Sequence, residues 1–157
     1  MDWGGWATFG FGATVALTAI LVGAQLAGYT RMDLPMMLGT IFVDDPDRAR
    51  VVGALVHLVN GQVFAVLYTS AFSLLDNSTW WLGGLFGLLH GAAALTLIIP
   101  LLPGIHPRMA SDRQGPERDV TLEPPGFLAL NYGRATAGVT LVAHVVYGTL
   151  LGVFLSS

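Results

Sequence analysis

The stretch WWLGGLFGLLHGAAALTLIIPLLP, residues 80–103, contains no charged side chain. An α-helix rises about 1.5 Å per residue, so a helix of this length crosses a hydrocarbon core about 30 Å thick. Uncharged stretches of similar length cover residues 6–29, 51–75 and 135–155. We therefore predict an all-α, four-helix transmembrane bundle that forms a single domain over residues 1–157.

The overall composition agrees with a membrane protein. Hydrophobic residues make up 54% of the chain and charged residues 11%, against about 25% charged in soluble domains. The mean hydropathy is +0.65. The chain has no cysteine, which excludes disulfides and thiolate chemistry. A net charge of −3 gives no sign of a nucleic-acid partner.

The arginines predict how the chain is oriented. There is no lysine, and all seven arginines fall in the loops 30–50 and 104–134. By the positive-inside rule, both loops are cytoplasmic and both termini lie outside the bacterial inner (plasma) membrane. The first ten residues carry no arginine, so we expect a membrane helix there rather than a cleaved signal peptide. The arginines are Arg31, Arg48, Arg50, Arg108, Arg113, Arg118 and Arg134.

The two long loops contain short apolar segments. Residues 34–43 are too few to span the membrane, so we expect an interfacial or re-entrant piece there. Asp45 and Pro46 indicate a turn, after which we expect Asp47 to cap the second long helix. The loop 104–134 is rich in proline and arginine, and its end GFLALNYG also looks interfacial. Either a plain connection or a cytoplasmic docking surface would fit this loop.

Two histidine-bearing segments suggest an internal repeat. VHLVNGQVFAVL (56–67) and AHVVYGTLLGVF (143–154) share four identities, and each follows an arginine-bearing loop. We interpret the chain as two helical hairpins of the same orientation, a parallel repeat about the membrane normal.

Small residues at every fourth position predict where the helices pack. Helices in lipid approach closely through small side chains, because no hydrophobic effect drives them together there. On the first helix we expect contacts through Gly12, Ala16, Ala24 and Gly28. On the other three we expect contacts through Gly61 with Ala65, Gly83, Gly87 and Gly91, and Gly148 with Gly152.

Three histidines, His57, His90 and His144, are predicted to lie within the membrane spans. Polar groups in hydrocarbon turn toward the bundle interior and find partners there. We expect a polar cluster formed with Gln25, Asn60, Gln62 and Tyr147.

Four roles suit these histidines, and the preferred one is hydrogen bonding that fixes the helix packing. Axial ligation of a haem or chlorophyll is the second, because a macrocycle needs small neighbours beside its ligand. A three-histidine metal site is the third, although no intramembrane carboxylate would complete it. A path for protons or solutes is the fourth. The expected cofactor is therefore none, with haem or chlorophyll as the alternative.

Catalytic patterns are weak. Ser70 and Ser73 have no acidic partner at a similar depth, and the pair His106 and Asp112 is common by chance. No P-loop, dinucleotide fingerprint or HExxH motif occurs. We predict no catalytic residue and favour a protein that is not an enzyme.

The segments that carry a resemblance are LPGIHPRMAS (102–111), PPGFLALNYG (124–133) and the histidine-bearing membrane segments. In these the chain resembles the uncharacterised small four-span integral membrane proteins of bacteria, which implies the fold but no activity. The function we expect is that of a structural or accessory protein in the lipid bilayer, as a homo-oligomer or a subunit of a larger complex. The alternatives are a haem- or chlorophyll-binding electron-transfer or light-harvesting subunit, and a small transporter or channel formed by oligomerisation.

Overall fold

The computed structural model describes residues 3–111 and 122–155, and helices dominate both ranges. Four spans are long and apolar enough to cross a membrane. Within the described ranges the only β-structure is a single bridge between Met109 and Leu122. The predicted all-α fold with four membrane-spanning helices is confirmed. In chain order the elements are α1 (Trp3–Leu26), α2 (Leu34–Gly39), α3 (Pro46–Leu75), α4 (Trp80–Ala93), a π-helical segment (Ala94–Ile98), α5 (Ile99–Ile105), a 3-10 segment (Phe127–Tyr132) and α6 (Thr136–Phe154).

The start of α3 differs from the prediction. The helix begins at Pro46 rather than at residue 51, and Asp45 rather than Asp47 is its N-cap. The Asp45 side chain accepts a hydrogen bond from the Arg48 main-chain N–H, and proline suits the first helical turn because it has no N–H to satisfy. α3 is therefore 30 residues, about 45 Å, long and extends beyond the hydrocarbon core.

The third span is interrupted near its middle. It runs from Trp80 to Ile105, but residues 94–98 form a π-helical turn between α4 and α5. Pro100 lacks the N–H that an α-helix would donate to the Thr96 carbonyl, and its ring would crowd that carbonyl. The wider turn before Pro100 relieves this conflict, and it changes the direction in which α4 and α5 present their side chains.

Helices α4 and α6 pack backbone to backbone through their glycines. A Cβ built on Gly83 would overlap the main chain of Gly148, and one built on Gly87 would overlap that of His144. On α6, a Cβ on Gly152 would overlap the carbonyl of Thr79. The two glycine stripes therefore meet each other and leave no space between these helices.

Helix α3 faces α4 with large side chains instead. Phe72 and Phe86 stack with their ring centroids 5.5 Å apart, and Phe64 stacks on His90 at 3.8 Å. Tyr68 packs edge-on against Phe86 at 5.8 Å. Aromatic rings thus hold α3 and α4 apart while glycines bring α4 and α6 together.

The packing prediction for α1 is wrong at Gly12 and Gly28. A Cβ on either residue would meet no atom within 4 Å, whereas one on Gly10 would lie 2.6 Å from the Ala65 Cβ. The buried stripe of α1 contains Ala13, Leu17 and Leu21 instead. Because α1 is apolar all round, its sequence does not mark which face turns inward.

The described arginines gather at one end of the bundle. This end is formed by the last turns of α1 and α5, the first turns of α3 and α6, and α2, and we call it the arginine end. α2 lies against α3 so closely that a Cβ on Gly53 would overlap the Pro35 carbonyl. The described arginines here are Arg31, Arg48, Arg50, Arg108 and Arg134.

Ion pairs and buried hydrogen bonds join the two loops at the arginine end. Arg50 pairs with Asp33 at 2.8 Å, and Arg108 pairs with Asp44. The His106 ring is buried and donates through Nε2 to the Met37 carbonyl at 2.9 Å, because its Nδ1 accepts from the Arg108 N–H. The loop after α1 and the chain after α5 therefore form one folded unit.

The chain before α6 is joined to the same unit. The Arg31 side chain pairs with Glu123 at 3.0 Å, and the Thr30 and Thr136 hydroxyls lie 2.6 Å apart. The Tyr132 hydroxyl donates to the Glu123 carbonyl at 2.6 Å, and burial raises the pKa of Tyr132 to about 12. Asp112, Arg113 and Arg118, which the sequence analysis singled out, lie outside the described residues.

Candidate functional site

One cavity in the bundle brings the three membrane histidines together. Its volume is about 130 Å³, and His57, His90 and His144 all line it. Each histidine lies near the middle of its span: His57 on α3, His90 in the Trp80–Ile105 span and His144 on α6. The cavity therefore sits close to mid-membrane depth.

Hydrogen bonds define the tautomer of His57. Its Nδ1 lies 2.9 Å from the Thr18 hydroxyl on α1. That hydroxyl already donates its proton to the Thr14 carbonyl at 2.7 Å, so it can only accept from the imidazole. Nδ1 therefore carries the proton, and Nε2 of the neutral ring is a hydrogen-bond acceptor.

The same reasoning applies to His144. Its Nδ1 lies 2.8 Å from the Thr140 carbonyl, which can only accept. Nδ1 again carries the proton, which leaves Nε2 as the acceptor. Within the described part of the chain, neither Nε2 atom has a hydrogen-bond partner of its own.

His90 packs between aromatic rings and His144. Its ring is T-shaped to that of His144 with centroids 4.7 Å apart, and it stacks on Phe64 from the other side. The Tyr68 hydroxyl approaches its Nδ1 at 3.4 Å, which is a long hydrogen bond. His90 is therefore positioned mainly by ring contacts rather than by a strong hydrogen bond.

Tyr147 connects α6 to α3 beside the same cavity. Its ring is fully buried, and its hydroxyl donates to the Gly61 carbonyl at 2.6 Å. Gly61 also allows α1 to approach α3, because a Cβ on Gly61 would overlap the Thr14 side chain. The absence of a side chain at Gly61 lets α1, α3 and α6 meet at one level.

The cavity is closed toward the arginine end and open toward the side of the bundle. Met32, Met37 and Leu102 are buried and form its wall at the arginine end. Asn60 on α3 and Ile98 in the π-helical segment also line it, and both are exposed. The opening therefore lies between α3 and the third span, where lipid would surround the protein.

An apolar groove of about 310 Å³ continues from this opening along the outside of α3 and α4. Phe64, His90 and Ile98 line both the cavity and the groove, and Leu67 and Leu89 extend the groove away from the arginine end. The cavity and the bilayer-facing surface are therefore adjacent compartments separated by the stacked rings of Phe64 and His90.

Two of the four polar residues expected in the cluster lie elsewhere. Gln25 is the second-last residue of α1 and does not line the cavity, since it lies near the arginine end. Gln62 donates to the Ala7 carbonyl at 3.2 Å, and its Oε1 is buried without a partner. Asn60 and Tyr147 do line the cavity.

The small residues that were predicted to mediate helix packing contribute to the site by letting the helices approach each other closely. A Cβ on Gly91 would lie 3.1 Å from the His144 Cβ, so Gly91 lets the imidazole lie against α4. Gly83, Gly87, Gly148 and Gly152 form the direct contact of α4 with α6 described above. None of these glycines leaves a flat slot beside a histidine.

Sequence reasoning missed the threonines that position the rings. Thr14 and Thr18 are four residues apart on α1, as are Thr140 and His144 on α6. Residues at this spacing share a helix face. A threonine one turn from an intramembrane polar residue was therefore the signal in the sequence that could have identified these contacts. Threonine also bonds to the carbonyl four residues earlier, which hides its polarity in lipid.

The histidines do not converge as a metal site would require. Among residues 3–111 and 122–155, no three histidine or carboxylate side chains could hold a metal ion together. An Nδ1–H held by a protein oxygen is compatible with metal binding through Nε2, so what is lacking among these residues is the grouping and not a suitable tautomer.

Comparisons with known proteins give no relative. No family model, no curated protein and no solved structure matches the chain. The fold is that of an integral membrane protein with four helices long and apolar enough to span a bilayer, three of which bring a histidine to one cavity.

Proposed function

We propose that this chain is an accessory protein of the bacterial plasma membrane that has no catalytic activity of its own and holds a ligand within the bilayer. The observation that carries this proposal is the position of the intramembrane polar groups. The three membrane histidines, Asn60 and Tyr147 line one small cavity that is closed toward the arginine end and opens sideways. Such a site takes its occupant from the membrane plane rather than passing it across.

The orientation is part of the proposal. All the arginines that the structure describes lie at one end, together with the interlocked loops. The positive-inside rule then assigns that end to the cytoplasm. The tryptophans Trp6, Trp80 and Trp81 lie at the opposite end of the helices, as expected for an outer interfacial belt.

The site favours this role over a transporter or channel. A conduit needs a polar path that reaches both surfaces. Here Met32, Met37 and Leu102 stand between the histidines and the arginine end, and all three are buried. Liposomes that contain the purified protein should release protons and small ions no faster than protein-free liposomes. Flux that rises with the amount of protein would contradict the proposal.

The site also favours this role over a haem or chlorophyll carrier. A tetrapyrrole has four pyrrole rings, whereas cavities near 150 Å³ in protein cores hold a single benzene ring. The space beside the histidines is about 130 Å³, and the glycine stripes are filled by direct helix contact. The protein purified from its native membrane should be colourless, and a Soret or chlorin absorption band would refute this.

Self-association of two copies through α1 completes the proposal. Gly12, Ala16, Ala19 and Gly23 form a small-residue stripe on α1, and a Cβ on either glycine meets nothing. Two such helices can approach closely in lipid because small residues let their backbones touch.

The natural chain has no cysteine, so single cysteines report this contact cleanly. Ala16→Cys should form a disulfide-linked dimer in membranes under mild oxidation. Leu89→Cys, on the exposed face of α4, should remain monomeric. Efficient cross-linking through Leu89→Cys with none through Ala16→Cys would place the contact elsewhere and refute the α1 interface.

A further inference from the structure

We propose that the ligand of the histidine cavity is a hydroxyl-bearing ring, a phenol or a hydroquinone with an apolar tail, that enters from the bilayer between α3 and the π-helical segment. This inference rests on the proposed function, because it names the class of molecule that the site would hold. Four features carry it: the size of the cavity, the direction of its hydrogen bonds, its opening and the adjoining groove.

The size of the cavity sets the size of the head group. Protein cavities of about 150 Å³ accommodate benzene, whereas pockets for larger organic ligands measure about 300–1,000 Å³. At about 130 Å³, this cavity matches one six-membered ring with small substituents. Its remaining walls, including Leu17, Leu21 and Ile99, are apolar and suit the faces of such a ring.

The hydrogen bonds of the histidines define what the ring must carry. His57 and His144 both use Nδ1–H on protein oxygens, so each presents Nε2 as an acceptor. An occupant that bonds to either atom must donate, as a hydroxyl does, and each hydroxyl can supply one of the two. A quinone carbonyl can only accept, so the reduced, hydroxyl-bearing form is the complementary one.

The position of the opening accounts for Asn60, a polar residue that is otherwise energetically unfavourable on a membrane-spanning helix. Asn60 lies at the middle of α3, is exposed, and has no hydrogen bond within the described part of the chain. A carboxamide that faces acyl chains without a partner is unfavourable, because its polar groups lose the hydrogen bonds that they make in water. At the mouth of the cavity, its amide can hydrogen-bond the polar head of an amphiphile as it enters.

The rest of the opening suits an apolar tail. The groove of about 310 Å³ begins where the cavity ends and is lined by Leu67, Ala71 and Leu89 among other apolar residues. The π-helical turn forms the opposite edge of the opening, and such turns occur frequently at functional sites. The head would lie in the cavity while the tail lies in the groove.

The test uses two probes of nearly equal shape. 4-Heptylphenol carries the hydroxyl donor, and 4-heptylanisole replaces it with a methyl ether that cannot donate. Binding is measured in lipid nanodiscs on protein labelled with ¹⁵N-histidine. The unliganded spectrum should show the Nδ1–H tautomer for His57 and His144. The phenol should then shift the Nε2 signals saturably and bind about tenfold more tightly than the ether, because a tenfold change corresponds to about one hydrogen bond.

Variants locate the binding. His144→Phe should weaken the preference for the phenol, because only the Nε2 of His57 then remains to accept, while Leu88→Ile, on the exposed face of α4, leaves it unchanged. Thr18→Val keeps the side-chain shape but removes the acceptor that orients His57. It should reduce the preference even if His144→Phe fails to fold.

Several results would overturn the inference. Equal affinity for phenol and ether would do so, as would no saturable shift with either probe or preferential binding of a quinone. If the phenol fails to bind while the protein still proves non-conducting and has the proposed orientation, the ligand class is wrong and the proposed function stands. If the liposomes conduct, the proposed function itself fails.

Discussion

Replacing Gly87 by leucine tests the contact on which the whole arrangement depends. A Cβ at this position would lie 2.8 Å from the His144 carbonyl carbon and 2.9 Å from the Val145 Cα, against 3.4 Å or more in ordinary contact. These are main-chain atoms, and the His144 carbonyl oxygen would be nearer still, so no side chain can rotate away and α4 must move back by about 1 Å. Gaps of this size forfeit a quarter to a half of each van der Waals contact.

The expected cost is at the upper end of the range for overpacking, about 3 kcal/mol. For a chain of this length, that corresponds to a fall of about 6–12 °C in melting temperature, at about 2–4 °C per kcal/mol. Thermal unfolding in detergent, followed by far-ultraviolet circular dichroism, measures it.

Gly138→Leu is the matched control, because among the described residues its Cβ would meet nothing within 4 Å, and it should melt near the wild-type temperature. Leu88→Ile, one residue from Gly87 on the exposed face, should also be nearly silent. If Gly87→Leu and Gly138→Leu melt alike, α4 and α6 do not touch at Gly87, and the account of the packing is refuted.

Three further predictions follow from the same contacts. A reporter fused after Ser157 should be exported and one inserted near Gln114 should stay cytoplasmic; the reverse pattern would overturn the proposed orientation. Tyr147→Phe should lower the free energy of unfolding by about 0.6–1.7 kcal/mol, because the hydroxyl bonds the Gly61 carbonyl, and a change near zero in a denaturant titration would contradict this. Since the pKa of Tyr132 rises to about 12 on folding from an ordinary value near 10, its stabilising contribution is complete below about pH 10 and is lost as the pH rises toward 12. Melting curves of Tyr132→Phe should lack that part of the alkaline decline, and an unchanged decline would show that Tyr132 does not cause it.

Hydropathy was sufficient to predict the four spans, because lipid demands long uncharged helices and the chain has four uncharged stretches. The ends of the helices were less accessible. Asp45 and Asp47 flank Pro46, and from the sequence alone either could cap the helix; only the geometry shows that Asp45 accepts the Arg48 N–H and that Asp47 lies in the first turn. The π-helical turn was also missed, although Pro100 supplied a reason to expect an irregular helix there.

The site was partly accessible from the sequence. Histidines near the middle of three spans are unfavourable in contact with lipid, so it was reasonable to expect that they meet inside the bundle. That neither glutamine joins them was not accessible; Gln62, for example, lies about 100° around α3 from Gly61 and turns toward Ala7. The sequence also does not show that Thr18 and Thr140 fix the tautomers of His57 and His144. That depends on hydrogen bonds between and within helices, which the helical period alone does not predict.

The parallel repeat stays a prediction, and the surroundings of its two glycines differ. Gly148 meets the main chain of Gly83 on α4, whereas Gly61 meets the Thr14 side chain on α1. This difference accounts for the cavity. α4 is drawn against α6 by glycines on both helices, while Phe64 and Phe72 keep it away from α3. Space must then remain between α3 and the third span. The three membrane histidines, Asn60 and Tyr147 lie around that space. The cavity is thus a direct result of residue sizes on the two sides of one helix, and substitutions that fill it from the α3 side should leave the α4–α6 contact intact.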